Sequence, residues 1–263
     1  GSDAVRYWAA NGRPGVDTAF DEGIMKIGRR LVTKLLNASK FVLMVAPMDE
    51  PTDISNVKNE IDLSFLTLLS EVIEKCTTSF EKYDYARALQ EAETLFWDFC
   101  DNYLEIVKGR AYGSQGEAGQ ISAQTTLRIS LSTFQRLFAP FIPFACEEVW
   151  SWWQEGSVHV SEWPSQSEMP ESKDLVVYPV VRDCAIFSMR SLKSNAKISM
   201  KTPVVKAKMH GGKVLGGTWK SAFADIRDVC NITQTDFTLD SVVEDEERDF
   251  FLENEVEFEA KSD

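Results

Sequence analysis

From Glu22 to Phe138 the chain keeps returning to one pattern: apolar side chains three or four positions apart, in runs of some twenty residues, with short breaks between them. An α-helix turns every 3.6 residues, so this spacing gathers the apolar groups on one stripe that must be buried against a neighbour. The first run, about Glu22 to Ala46, carries Ile27, Leu31, Leu35, Ala38 and Val42 and stops before Pro47. The second, about Asn59 to Lys82, carries Ile61, Phe65, Leu68, Val72 and Cys76. The third, about Tyr85 to Arg110, carries Ala92, Phe96, Phe99, Tyr103 and Ile106. A loop punctuated by Gly113, Gly116 and Gly119 leads to a fourth, roughly Gln120 to Phe138, which Ala139-Pro140 ends. Pro143 suits the first turn of a fifth helix, where its missing N–H costs little. Long helices with short connections predict an antiparallel bundle.

From about Ser165 the texture changes. Val181, Ala185, Met189, Leu192 and Ala196 predict one more helix, and Trp219, Phe223, Ile226 and Cys230 another. Between and after them the period falls to two. Val205, Ala207 and Met209 alternate with Lys206 and Lys208, and Val256, Phe258 and Ala260 with Glu255, Glu257 and Glu259, as half-buried strands do. The expected fold is mainly α: an antiparallel helical bundle over 22–164, followed by a small α/β subdomain with an acidic end over 165–263. Residues 1–21 stand before the bundle. There Asp3 to Asn11 is helix tail and Gly12 to Phe20 is loop, while Gly1-Ser2 has the look of a cloning scar and suggests a piece of a longer chain.

No apolar run approaches the roughly 20 residues that span a bilayer, which argues against a membrane role. Five cysteines, Cys76, Cys100, Cys146, Cys184 and Cys230, lie far apart with no CxxC pair. They predict neither a disulfide framework nor zinc, but small buried side chains in a reducing cytosol. The two histidines, His159 and His210, fall in different regions. GxxxxGK, GxGxxG, HExxH and GxSxG patterns are missing, so no catalytic residue, cofactor site or metal site is assigned. Asp98, Asp101, Asn102 and Glu105 share a helix face, and Glu147-Glu148 form an acidic pair. Both are expected to be solvated flanks with salt bridges, not acid–base dyads. Lys197-Ile-Ser-Met-Lys-Thr is only a loose match to an ATP-handling lysine loop.

The net charge of −13 is unevenly spread. Lys26 to Lys40 holds five basic residues and no acid, and Cys184 to Ala224 holds eight and again no acid. Asp225 to Asp263 holds 14 acids and three bases. Screening beyond about 8–10 Å lets a basic face act independently of a distant acidic one. On the first helix Lys26, Arg30, Lys34, Asn37 and Phe41 form a stripe beside the core stripe. Cations neutralise phosphates, an amide reads a base edge, and a ring stacks on an unpaired base. The same spacing also fits a solvated helix face with one aromatic in the core, or a scaffold whose basic blocks meet acidic partner proteins.

Several segments resemble the C-terminal part of class I aminoacyl-tRNA synthetases. "DAVRYWAANGRPGVDTAFDE" is similar to the stretch after that family's catalytic lysine loop. "KLLNASKFVL" resembles the first helix of its anticodon-binding bundle, and "FCDNYLEIVKGRAYG" and "LFAPFIPFACEEVWSWWQEGSVHVSEWP" its later helices. "SNAKISMKTPV" resembles the entry to its small appended α/β subdomain. "GVDTAFDE" and "WWQEGSVHVSEWP" tilt the choice toward the valine branch over the isoleucine and leucine branches. The resemblance implies tRNA recognition, with tRNA(Val) as partner and the catalytic and editing domains of the same parent chain as neighbours, in a monomeric, cytoplasmic enzyme. ATP and Mg belong to the parent, and nothing here would bind them or act alone. The resemblance also implies site residues: Lys34 and Phe41 first, then Arg29, Arg30, Asn37 and Lys26, with Lys108, Arg110 and Arg6 toward the stem or backbone.

Overall fold

The computed structural model describes residues 1–46, 52–171, 176–207, 209–211, 219–233, 239–241, 250–252 and 256–259, without the side chains of 184, 185, 209–211, 219–221, 239–241 and 250–252. Ten helices are found among them: α1 (Ser2–Ala10), α2 (Glu22–Val45), α3 (Glu60–Glu81), α4 (Tyr85–Asp98), α5 (Leu104–Ala111), α6 (Glu117–Phe138), α7 (Pro143–Trp150), α8 (Val177–Val180), α9 (Ser188–Asn195) and α10 (Trp219–Cys230). Two compact units share these helices. The first comprises residues 1–57, 66–101 and 121–172, and the second 58–65, 102–120 and 173–263. No helix among the described residues is long and apolar enough to cross a membrane.

In the first unit the stripes predict the core. Leu31, Leu35, Ala38 and Val42 of α2, Val72 and Cys76 of α3, and Ala92 and Phe96 of α4 are buried. They are joined by Leu69 and Ile73 of α3, Leu89 of α4, and Leu127, Phe134 and Phe138 of α6, which the stripes did not include. Burying each of the larger of these side chains contributes about 1.5–3 kcal/mol. Phe96 meets Phe134 and Phe138 edge to face, at centroid distances of 5.2 Å in both cases. The helix starts are chemically marked. Asp21 caps α2 by accepting from the Gly23 and Ile24 amides at 2.6 and 3.4 Å. Helix α7 starts on Pro143 without a side-chain cap of its own. Asp3 of α1 supplies the acceptor instead, taking the Phe144 and Ala145 amides at 3.3 and 2.8 Å. A carboxylate there also suits the helix dipole.

Two positions depart from the expected stripes. Ile27 is 42% exposed, because Gly28 takes the inward place on α2. A Cβ on Gly28 would lie 2.7 Å from the Cβ and ring carbons of Tyr7, so α1 crosses α2 at its glycine. Leu68 is half-buried, the interior being filled by Leu66 and Leu69. The predicted third helix is a single rod only in outline. A π turn, Phe99–Tyr103, separates α4 from α5, and a second, Val181–Phe187, separates α8 from α9. Each widens the helix by one residue locally without breaking the period of three and four, which hides it from a reading of spacing.

The second unit adds five short strands: β1 (Val204–Lys206), β2 (Met209–Gly211), β3 (Leu239–Ser241), β4 (Phe250–Leu252) and β5 (Glu257–Phe258). Strand β1 pairs antiparallel with β5, and β2 lies between β3 (parallel) and β4 (antiparallel). The alternation predicted for 203–209 is shifted. Val204 and Ala207 are buried while Val205 is intermediate, since the register slips between Val204 and Lys206. Lys208, Lys213, Glu255 and Ala260 lie outside the described residues.

The interior of this unit is held by charge as well as by apolar contact. Arg110 is 0% exposed. Its Nε donates to both oxygens of Asp225 at 3.1 Å, and its Nη1 and Nη2 donate to Asp62. The Tyr103 hydroxyl donates to Asp62 at 2.6 Å, and the Gln115 amide to Asp225 at 2.9 Å. Burial raises the Asp225 carboxyl to about 6, with Arg110 opposing the rise. Elsewhere in the unit the buried Lys193 ammonium donates to the carbonyls of Met200, Thr202 and Cys230 at 2.9, 2.8 and 3.2 Å. Burial lowers its pKa.

Candidate nucleic-acid interface

Helix α2 presents two flanks once Leu31, Leu35, Ala38 and Val42 face inward. On one of them Lys26, Arg30 and Asn37 are exposed, and Lys34 and Phe41 are half-buried. The cations are organised around a ring that the spacing of α2 could not reveal. The Arg30 guanidinium lies 5.9 Å and the Lys34 ammonium 5.8 Å from the centre of the Trp97 ring on α4. Such cation–π contacts contribute about 0.5–1 kcal/mol each at exposed sites. Trp97 is in turn fixed by its indole N–H, which donates to Glu93 at 2.9 Å. The other Glu93 oxygen accepts from the Tyr7 hydroxyl at 2.6 Å. Burial and that carboxylate together push the Tyr7 pKa up.

Lys34 also donates to Asp101 at 2.5 Å, and this pair is only partly shielded, with 34% and 54% of the two side chains exposed. Lys34 is therefore a member of an ion pair, a partner that the stripe alone could not show. Further along α2, the Lys40 ammonium stands 5.9 Å from the Trp152 ring, whose N–H donates to Glu148 at 3.1 Å.

The remaining predicted contacts do not all join this face. Arg29, on the other flank, borders a cleft of about 300 Å³ with Val32, Phe144 and the first turn of α1. Arg6 donates to the Pro140 carbonyl at 2.9 Å and is exposed. Lys108 is exposed in the second unit, 3.7 Å from Glu105. Arg110 has to be corrected. It was expected at a surface near the end of its helix, but its guanidinium is enclosed and engaged by two carboxylates. It leaves the candidate set. Of the acidic face, Asp101 and Glu105 are paired with lysines, while Asn102 is buried and accepts from Arg190 at 2.7 Å.

A larger cleft, about 550 Å³, lies elsewhere in the first unit beside Arg128, Arg136, Trp153 and Glu168. Arg136 grips Glu168 through two hydrogen bonds of 3.0 and 2.6 Å. Burial raises the Glu168 pKa, but these bonds more than reverse the effect and leave it lowered. That arginine is a structural clamp. Among the described residues no cluster of histidine, cysteine and carboxylate side chains could hold a metal ion.

The first unit is a helical bundle with a cation–aromatic face and the second is α/β, and comparison with known proteins gives the chain a family. Residues 62–209 match the model of the anticodon-binding domain of tRNA ligase, and the chain belongs to that family. Within it the similarity runs to valine–tRNA ligases. That of Thermobifida fusca is 51% identical over 213 residues, which cover 80% of this chain and 24% of the relative. That of Cutibacterium acnes is 45% identical over 231 residues, covering 87% and 26%. That of Leifsonia xyli is 47% identical over 244 residues, covering 90% and 28%. The chain thus spans about a quarter of the length of these relatives and corresponds to their anticodon-binding portion. A solved ternary complex of LeuRS, tRNA and LeuAMS from Agrobacterium radiobacter K84 is similar in fold, with a TM-score of 0.50 at 16% identity over 79% of this chain and 27% of that one.

Proposed function

We propose that this chain docks the anticodon loop of tRNA(Val) for a parent enzyme that joins valine to tRNA using ATP and Mg. The observation that carries the reading is the α2 flank: Arg30 and Lys34 held against Trp97, with Asn37 and Phe41 one and two turns further on. A guanidinium fixed on a ring is pre-ordered for a phosphate, an ammonium beside it can serve the backbone or a base edge, and a partly exposed phenyl offers a stacking surface for an unpaired base. Catalysis, editing, and ATP and amino-acid binding fall to other parts of the parent, which is cytoplasmic and monomeric in this reading. The 263-residue chain alone carries out no amino-acid-dependent ATP–pyrophosphate exchange.

The experiment is filter binding of the chain to tRNAs differing only in anticodon, at several salt concentrations. Binding should be strongest for valine anticodons. Lys34→Ala and Phe41→Ala should each weaken it by roughly 1–3 kcal/mol. Equal affinity for every tRNA and for heparin would instead support a scaffold whose basic face meets acidic proteins.

A further inference from the structure

Lys34 and Asp101 raise a question that a phosphate-gripping lysine does not answer. A phosphate contact is best served by a cation with no competitor, yet this ammonium lies 2.5 Å from a carboxylate. The pair is neutral as a unit, so it adds little to the attraction of a polyanion. What it does offer is direction: an N–H donor beside an oxygen acceptor, both partly open to solvent, on the flank that carries Phe41. An independent feature marks the same place. Asp101 is the central residue of the π turn Phe99–Tyr103, and single π turns inside helices recur at functional sites because they re-aim a side chain. Trp97, one turn earlier, also attracts the ammonium, its ring centre lying at 5.8 Å, which limits the freedom of Lys34 to swing away.

The geometry points to Asp101 as a specificity-determining residue that reads an unpaired base jointly with Lys34. This inference rests on the RNA-binding reading above. A carboxylate is the side-chain acceptor suited to an exocyclic amino group, and an ammonium donates to a neighbouring ring nitrogen. Adenine and cytosine carry those two groups side by side on their pairing edge. Guanine and uracil carry a keto oxygen where the amino group would be, and it would face the carboxylate and be repelled. Asp101 therefore selects an amino base at one loop position, while Arg30 and its neighbours act on the backbone without regard to sequence.

The test uses the 263-residue chain and a set of anticodon stem-loop RNAs in which each loop adenine is replaced by guanine, or each cytosine by uracil, one at a time. The wild type should lose about 10-fold in affinity at one position. Asp101→Ala and Asp101→Asn should lose that discrimination while keeping the affinity for the other RNAs within about 3-fold. Lys34→Ala should weaken binding to all of them. If Asp101 only masks the lysine, Asp101→Ala will bind every RNA more tightly and steepen the salt dependence by about one ion. That result would overturn the inference and leave the RNA reading intact. A wild type that does not distinguish a stem-loop from an unrelated RNA would overturn both. Asp101 is more than half exposed, so its variants should fold, which an unchanged circular dichroism melt would verify.

Discussion

Replacing Arg110 by alanine removes a guanidinium lodged between Asp62 and Asp225 with none of the three side chains exposed. Breaking a buried ion pair by deleting one partner costs about 3–5 kcal/mol, because the other charge is left unpaired. Here two carboxylates are left, and they repel each other. Domain stabilities are of order 5–15 kcal/mol, so the second unit should lose much of its margin. The penalty should also depend on pH, and its sign follows from Asp225. Its folded pKa, about 6, is above the ordinary value of 3.8, so its contribution to stability is fully present below 3.8 and is lost as pH rises through about 6. Without the opposing charge of Arg110 the folded value climbs further and the loss extends to higher pH. The Arg110→Ala penalty should therefore be smaller near pH 4 than at pH 7.5 and grow through pH 6 and beyond. Amide hydrogen exchange in α5 and α10, compared between variant and wild type across that range, measures it locally. A penalty under about 1 kcal/mol at pH 7.5, or one that does not change with pH, would refute the argument.

Three further outcomes are expected. Gly28→Ala should lower the melting temperature despite alanine's helix propensity advantage of about 1 kcal/mol, because its Cβ would overlap Tyr7; a raised melting temperature would contradict the crossing described for α1 and α2. Trp97→Leu should cost under about 2 kcal/mol in stability and yet reduce RNA affinity by more than Trp152→Leu does, with urea titration and filter binding as the two measurements. Burial pushes the thiols of Cys76, Cys100 and Cys230 up to about 12 and that of Cys146 upward as well. All four should resist iodoacetamide at pH 7.5 in the folded chain and react in denaturant, as peptide mapping would show.

The helices could be read from the sequence because each depends on local repetition: Leu31, Leu35 and Val42 announce their own burial. Pro143 likewise marks a helix start with residue-intrinsic chemistry. What spacing could not show was partnership across the fold. Arg110 carries a charge at the end of a helical run, where surface exposure is the ordinary outcome, and the two carboxylates that bury it are 48 and 115 positions away. The pairing of Lys34 with Asp101 could not be read from the stripe because the two are 67 residues apart. Trp97 escaped notice for the same reason, since its importance comes from two cations on another helix. Ile27 was misplaced because a glycine, silent in a hydrophobicity pattern, took the inner position.

Glu93 has two carboxylate oxygens and gives one to Tyr7 and the other to Trp97. The opening helix and the cation-bearing face therefore share a single fastener. If a bound base were to draw the indole outward, the carboxylate would have to follow, or the phenol would lose its acceptor at a cost of about 1 kcal/mol. A tug on the indole side is thus transmitted to the seventh residue of the chain through two hydrogen bonds, without any helix having to bend.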